Sequence, residues 1–89
     1  MKRMIYEAVD RVKGGDGFTD CVTFELEEAR RALEDARDRM SAYDRDRREA
    51  WEICGWLIEV EPGETAQEAF DRWLDEQCWT PDPVFYEKL

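Results

Sequence analysis

Four carboxylates, Glu64, Glu68, Asp71 and Asp75, recur at spacings of four, three and four residues, the interval that lines one ridge of an α-helix. Neighbouring charges on such a ridge lie about 5 to 6 Å apart, close to the separation of successive phosphates along one nucleic-acid strand. The chemistry open to this row is electrostatic: it fits a Lys/Arg groove built for a nucleic-acid backbone. Its ordinary alternative is a solvated helix face. The scarcity of basic neighbours favours the groove. Residues 51–89 hold ten acids against only Arg72 and Lys88, whereas residues 1–24 balance four acids with four bases and residues 25–50 carry nine acids and seven bases. Eight of the ten net negative charges therefore fall in the last 39 residues. One sign of charge concentrated on one region draws oppositely charged partners and speeds their encounter.

No other grouping of residues carries a reaction. The chain has no His, so acid and base work would fall to carboxylates, Tyr, Lys or Cys, and no pair of these is placed for it. Ser41 is the only serine and sits among charged residues without a base to activate it. Gly14, Gly15 and Gly17 match neither phosphate-binding glycine pattern and read as turn residues. The acidic run lacks the spacing of a calcium-binding EF-hand loop. Cys21, Cys54 and Cys78 are odd in number, far apart and without a histidine to complete a tetrahedral zinc site; they read as reduced, buried, small apolar groups. Neither enzyme activity nor a cofactor or metal is expected.

The elements that must position the acidic row are legible in the hydropathy pattern. Residues 4–12 alternate, with Met4, Tyr6, Ala8 and Val12 on one face and Ile5, Glu7, Val9 and Arg11 on the other, as a half-buried strand does. Gly14, Gly15, Asp16 and Gly17 supply positive-φ turn positions. Phe18, Val22 and Phe24 then suggest a short second strand, although Asp20 shares their face. Leu26, Ala29, Leu33, Ala36, Met40 and Tyr43 repeat at three and four, which predicts a helix from about 25 to about 43 with Glu27–Arg31 and Asp35–Arg39 as ion pairs. This seam suits packing inside the domain or a short coiled coil. Residues 43–49 are a frayed helix end or a solvated connection. Their Arg45, Arg47 and Arg48 are cancelled by Asp44, Asp46 and Glu49, so they form no nucleic-acid site.

Residues 51–60 form the most apolar stretch and predict a central strand, with Cys54, Trp56, Ile58 and Val60 opposite Trp51, Ile53 and Leu57. Gly55 within it marks a bulge or a closely packed helix. Thr65 and Glu68 make a capping box that opens a second amphipathic helix, with Ala66, Ala69, Phe70, Trp73 and Leu74 inward and the acidic row outward. Residues 79–89 form a Pro/aromatic tail that either folds back over the sheet or serves as an interface. The fold expected is a single α+β domain over 1–89, in two layers: an antiparallel sheet of two or three strands covered by two amphipathic helices, in the order β-(β)-α-β-α.

Hydrophobic residues at 43% and an aromatic share of 12% argue for a folded core rather than a disordered acidic tail. No apolar run approaches the roughly 18 to 20 residues of a membrane-spanning helix, and Glu7 and Asp10 interrupt any signal-peptide core, so a cytoplasmic protein with no membrane partner is expected.

In size, acidity, mixed α and β pattern and lack of catalytic residues, the chain resembles the small anti-defence inhibitors of phages and mobile elements, anti-CRISPR proteins and DNA mimics among them. The carboxylates of Glu59–Glu76, in EVEPGETAQEAFDRWLDE, carry that resemblance. It implies an inhibitor, monomeric or homodimeric, that binds a protein with a basic surface and no nucleic acid directly. The partner-binding residues expected are Glu59, Glu61, Glu64, Glu68, Asp71, Asp75, Glu76, Trp79, Phe85 and Tyr86. The alternative is a small assembly subunit or antitoxin-like partner whose acidity serves solubility, binding through its aromatic tail or by self-association.

Overall fold

Two long strands, β1 (Lys2–Val12) and β3 (Arg48–Glu59), pair antiparallel from Lys2 opposite Glu59 to Val12 opposite Arg48 in the computed structural model, which describes residues 1–89. They form the centre of a four-stranded antiparallel sheet. Its edges are β2 (Gly17–Thr23), paired with β1, and β4 (Phe85–Lys88), paired with β3, giving the order β2-β1-β3-β4. Three helices complete the chain: α1 (Leu26–Arg39), α2 (Ala42–Asp46) and α3 (Ala66–Asp75). No helix is long and apolar enough to cross a membrane.

The alternation of the two central strands decides where the long helices go, because successive side chains point to opposite faces. Ile5 of β1 lies opposite Trp56 of β3, and both join Cys54, Ile58, Ala69 and Phe70 in one apolar cluster under α3. Ala8, opposite Ile53, joins Ala29 and Leu33 in a second cluster under α1. Ile5 and Ala8 differ in parity, so α1 and α3 cover opposite faces of the sheet. The domain is α+β as expected, but it has three layers and four strands rather than two layers and two or three strands. β1 is correspondingly not half-buried, since Ile5, Ala8 and Val9 are all buried.

Each further departure has a local cause. Only Gly14, at φ 68°, uses the left-handed region in the β1–β2 turn. α1 stops at Arg39, because Ser41 leaves the helical path and accepts a hydrogen bond from the Asp44 N–H as the N-cap of α2. The predicted seam holds from Leu26 to Met40, and Tyr43 falls outside it, 68% exposed. The i,i+4 pairs of α1 are not made; Arg30 instead pairs with Glu27 and with Glu87 of β4. Gly55 is neither a bulge nor a helix contact. A Cβ there would lie 3.1 Å from Phe85 Cβ and 3.1 Å from Tyr6 Cδ1, so glycine lets these neighbouring side chains close over the strand. The two rings meet edge to face, with centroids 5.5 Å apart. That closure docks the tail as β4, reinforced where Trp56 Nε1–H donates to the Pro81 carbonyl at 2.9 Å.

Candidate functional site

α3 presents its acids through an N-terminus fixed by the sequence. The Thr65 hydroxyl accepts from the Glu68 N–H at 3.1 Å, and the Glu68 carboxylate accepts from the Thr65 N–H at 2.9 Å, the reciprocal pair that the T-x-x-E spacing predicts. Glu68, Asp71 and Asp75 all lie on the exposed side of the helix. Asp71 also accepts from the Gln67 amide one turn earlier.

Glu64 does not extend this ridge, because the helix begins at Ala66. Its carboxylate turns back to take two hydrogen bonds from Arg72, at 3.0 and 2.9 Å, and one from the Glu61 N–H. These contacts, Arg72 first, hold its pKa down to about 2. Arg72 is fully occupied, since it also donates to the Glu59 carbonyl and stands 3.6 Å from Glu76. Glu59 pairs with the N-terminal ammonium. The ten expected partner-binding residues therefore divide. Glu61, Glu68, Asp71 and Asp75 have no cationic partner, as does Asp82 in the following connection, while Glu59, Glu64 and Glu76 do.

The aromatic residues divide too. Trp79 is 78% exposed on the connection between α3 and β4. Tyr86 is exposed, and its hydroxyl donates to Glu52 at 2.8 Å. Phe85 is half-buried against Tyr6 and belongs to the packing under α1. The tail is thus both an edge strand and an exposed surface. Of the three cysteines only Cys54 is buried in the core; Cys21 is half-buried and Cys78 exposed.

Two charged clusters escaped the sequence reading. On the α3 side of the sheet, Arg11 and the Tyr86 hydroxyl both donate to Glu52. Burial pushes the Glu52 carboxyl up, but these hydrogen bonds outweigh it and hold it below the usual range. On the opposite side, Arg48 Nε–H donates to the buried Asp10 at 2.7 Å. Asp20, exposed on β2, has its pKa raised to about 7 by partial desolvation first, then by the hydrogen bond and like charge of Asp10, with Arg48 opposing. The available signal was Asp20 itself, an acid on an otherwise apolar face of β2. Arg48 is thereby paired with Asp10 rather than with the acids of residues 43–49.

The one concavity, about 320 Å³, lies between Met1, Arg3 and the Val60–Glu64 turn, and is open rather than enclosed. It gathers no nucleophile or paired acid and base. No protein-family model, curated protein or solved structure matches the chain, so the functional reading rests on its own geometry.

Proposed function

We propose that this chain is a non-enzymatic binding protein that presents the outer side of α3, with Glu61, Glu68, Asp71, Asp75 and Asp82, to a basic, nucleic-acid-binding surface of a partner protein. An effector complex of a CRISPR defence system is the kind of partner this reading singles out, and inhibition is the consequence. One observation carries it: Glu61, Glu68, Asp71, Asp75 and Asp82 form no ion pair, and the only base of α3, Arg72, is already claimed by Glu64. A stretch of surface left with one sign of charge complements a surface that binds phosphates.

The test is a pair of triple variants matched in charge. Reversing Glu68, Asp71 and Asp75 to Lys leaves the apolar face of α3 intact, and reversing Glu34, Asp35 and Asp38 on α1 changes net charge by the same six units. With a candidate effector ribonucleoprotein and labelled target DNA, wild type and the α1 variant should block DNA binding in a fluorescence anisotropy assay, while the α3 variant should fail. Equal losses in both variants reduce the reading to bulk acidity. An α3 variant as potent as wild type, with its circular dichroism unchanged, overturns it.

Trp79 favours a second reading, assembly through the connection between α3 and β4, because an exposed indole is a typical anchor at protein interfaces. Salt separates the two. Contacts through exposed carboxylates weaken sharply between about 0.05 and 0.2 M salt, whereas contacts through Trp79 do not.

A further inference from the structure

An open sheet ends in two rows of backbone N–H and C=O groups, which pair with further strands unless something blunts them. The two edges of this sheet differ. Along β2, Ala8 lies opposite Cys21 and Val9 opposite Thr19, so Asp20 is an extra residue that interrupts the ladder with an acid, and both α1 and α3 pack against this strand. A bulge and a charge are common devices against edge pairing. β4 instead pairs with β3 in unbroken register from Phe85 opposite Gly55 to Lys88 opposite Glu52. Its one acid, Glu87, is neutralised by Arg30 of α1.

The Leu89 N–H donates to the Trp51 carbonyl at 2.9 Å. Backbone groups alternate sides along an antiparallel strand, so those of Phe85, Glu87 and Leu89 face β3, while those of Tyr86 and Lys88 face away from the sheet. The Val84 carbonyl, trans to the Phe85 N–H, points outward with them. This edge is also apolar. Of the eight large hydrophobic residues that are exposed, five, Leu57, Trp79, Val84, Tyr86 and Leu89, lie on β4, at its ends, beside it on β3 or in the connection that enters it.

We propose that this edge takes a second copy of the same chain, β4 against β4, antiparallel about a two-fold axis at Tyr86, so that the two sheets become continuous. Charge selects this register. An axis at Glu87 would set Glu87 directly opposite its own copy, and like charges so placed are destabilising. An axis at Tyr86 sets Tyr86 opposite Tyr86, Phe85 opposite Glu87 and Lys88 opposite Val84. The Tyr86 N–H then donates to the Tyr86 carbonyl of the second copy and the Lys88 N–H to the Val84 carbonyl, each bond made twice by symmetry. Lys88 and Asp82 form no ion pair within one chain. Across the axis they become diagonal neighbours, within reach of a long side chain. The two β2 strands form the outer edges of the joined sheet, so the isologous contact closes at two copies. Both α3 helices lie on one face of that sheet, but the inference stands on the β4 edge and not on the acidic side of α3.

Sedimentation equilibrium of the intact chain from about 1 μM to about 1 mM should show the mass rise from one chain toward two. The rise should come at lower protein concentration in about 0.5 M salt than in about 0.05 M, because two chains of net charge −10 repel until screened. Binding through the acids of α3 responds to salt in the opposite sense, so the two readings fail separately. Lys88→Pro removes an outward N–H and no bond to β3, and should weaken dimerisation at least about tenfold. Lys88→Gln keeps that N–H and should dimerise within about threefold of wild type. A single-chain mass over the whole range at both salts, or a Lys88→Pro chain that dimerises like wild type, overturns the proposal. Should Lys88→Pro fail to fold, isotope-filtered NOE spectroscopy on mixed labelled and unlabelled wild type decides alone. A contact between the Hα atoms of Phe85 and Glu87 from different copies supports the pairing, and its absence removes it.

Discussion

α1 and α3 are both amphipathic helices laid on the same sheet, yet their charges obey different rules. α1 opens on Glu27 and Glu28 and closes on Arg37 and Arg39, so its charges run with the helix macrodipole. α3 likewise has Glu68 in its first turn and Arg72 in its last, but it ends on Asp75 and the C-cap Glu76, which run against the macrodipole. Each misplaced charge of this kind costs about 0.3 to 1 kcal/mol at an exposed helix end. Acids placed for solubility alone have no need of such positions, because an acid in the first turn serves solubility and the dipole together. The end of α1 is charged in the way that stabilises a helix, whereas α3 ends on two acids, of which only Glu76 is paired, with Arg72.

As layers, by contrast, the two helices should be equivalent, and this is where the largest effects lie. Leu33 of α1 is 1% exposed and Phe70 of α3 is 4% exposed, each at the centre of its own cluster. Leu33→Ala and Phe70→Ala should each destabilise by about 2 to 5 kcal/mol, from lost apolar burial and the cavity left behind. Chemical denaturation monitored by circular dichroism checks both. If one variant melts like wild type, the sheet does not depend on that helix, and the two-sided core is wrong on that face.

Most of this architecture was legible because local signals agreed with it. The alternation of β1 and β3, the seam from Leu26 to Met40 and the Thr65–Glu68 capping box all specify their element within a few residues. What the sequence hid was set by contacts between distant residues. The faces of β1 looked like one core face and one polar face because Glu7 and Arg11 alternate with Ile5 and Val9, but α3 covers only the Ile5 end of that face. Phe18, Asp20 and Val22 looked like one face of β2 because period-two counting assumes an unbroken ladder, and the bulge at Asp20 breaks it. Glu64 looked like a ridge residue by spacing alone, while the capping box already placed the helix start after it. The division of the candidate site follows from the same cause, since Arg72 reaches back eight residues to Glu64.

Gly55 offers the next largest effect and bears on the α1 side, where Phe85 of β4 completes the packing. Gly55→Ala places a methyl about 3.1 Å from Phe85 Cβ and the Tyr6 ring and 2.9 Å from Met4 Cε. The Met4 end can swing away, but a strand side chain held at Cβ cannot, so a loss of about 1 to 3 kcal/mol is expected from overpacking. The loosened element should be β4, giving faster hydrogen exchange at Tyr86 and Leu89 than at β1. Unchanged stability with unchanged exchange at β4 would show that the tail does not depend on closing over this glycine.

The smallest effect bears most directly on the contrast between the helices. Asp75→Lys replaces an acid at the C-terminus of α3 with a base, removing an unfavourable interaction with the macrodipole and adding a favourable one. It lies three residues from Arg72, which Glu64 and Glu76 already neutralise. Stability should therefore rise by about 0.3 to 1 kcal/mol at low salt and return toward wild type as salt screens the exposed charges. Arg39→Glu in the last turn of α1 is the mirror experiment and should lose a similar amount. If the acidic side of α3 engages a basic partner, Asp75→Lys should also weaken that binding, so that one substitution gains stability and loses function, as residues retained for binding rather than folding do. A less stable Asp75→Lys would mean that Asp75 fits its own helix end, and the asymmetry between α1 and α3 would no longer argue for a partner.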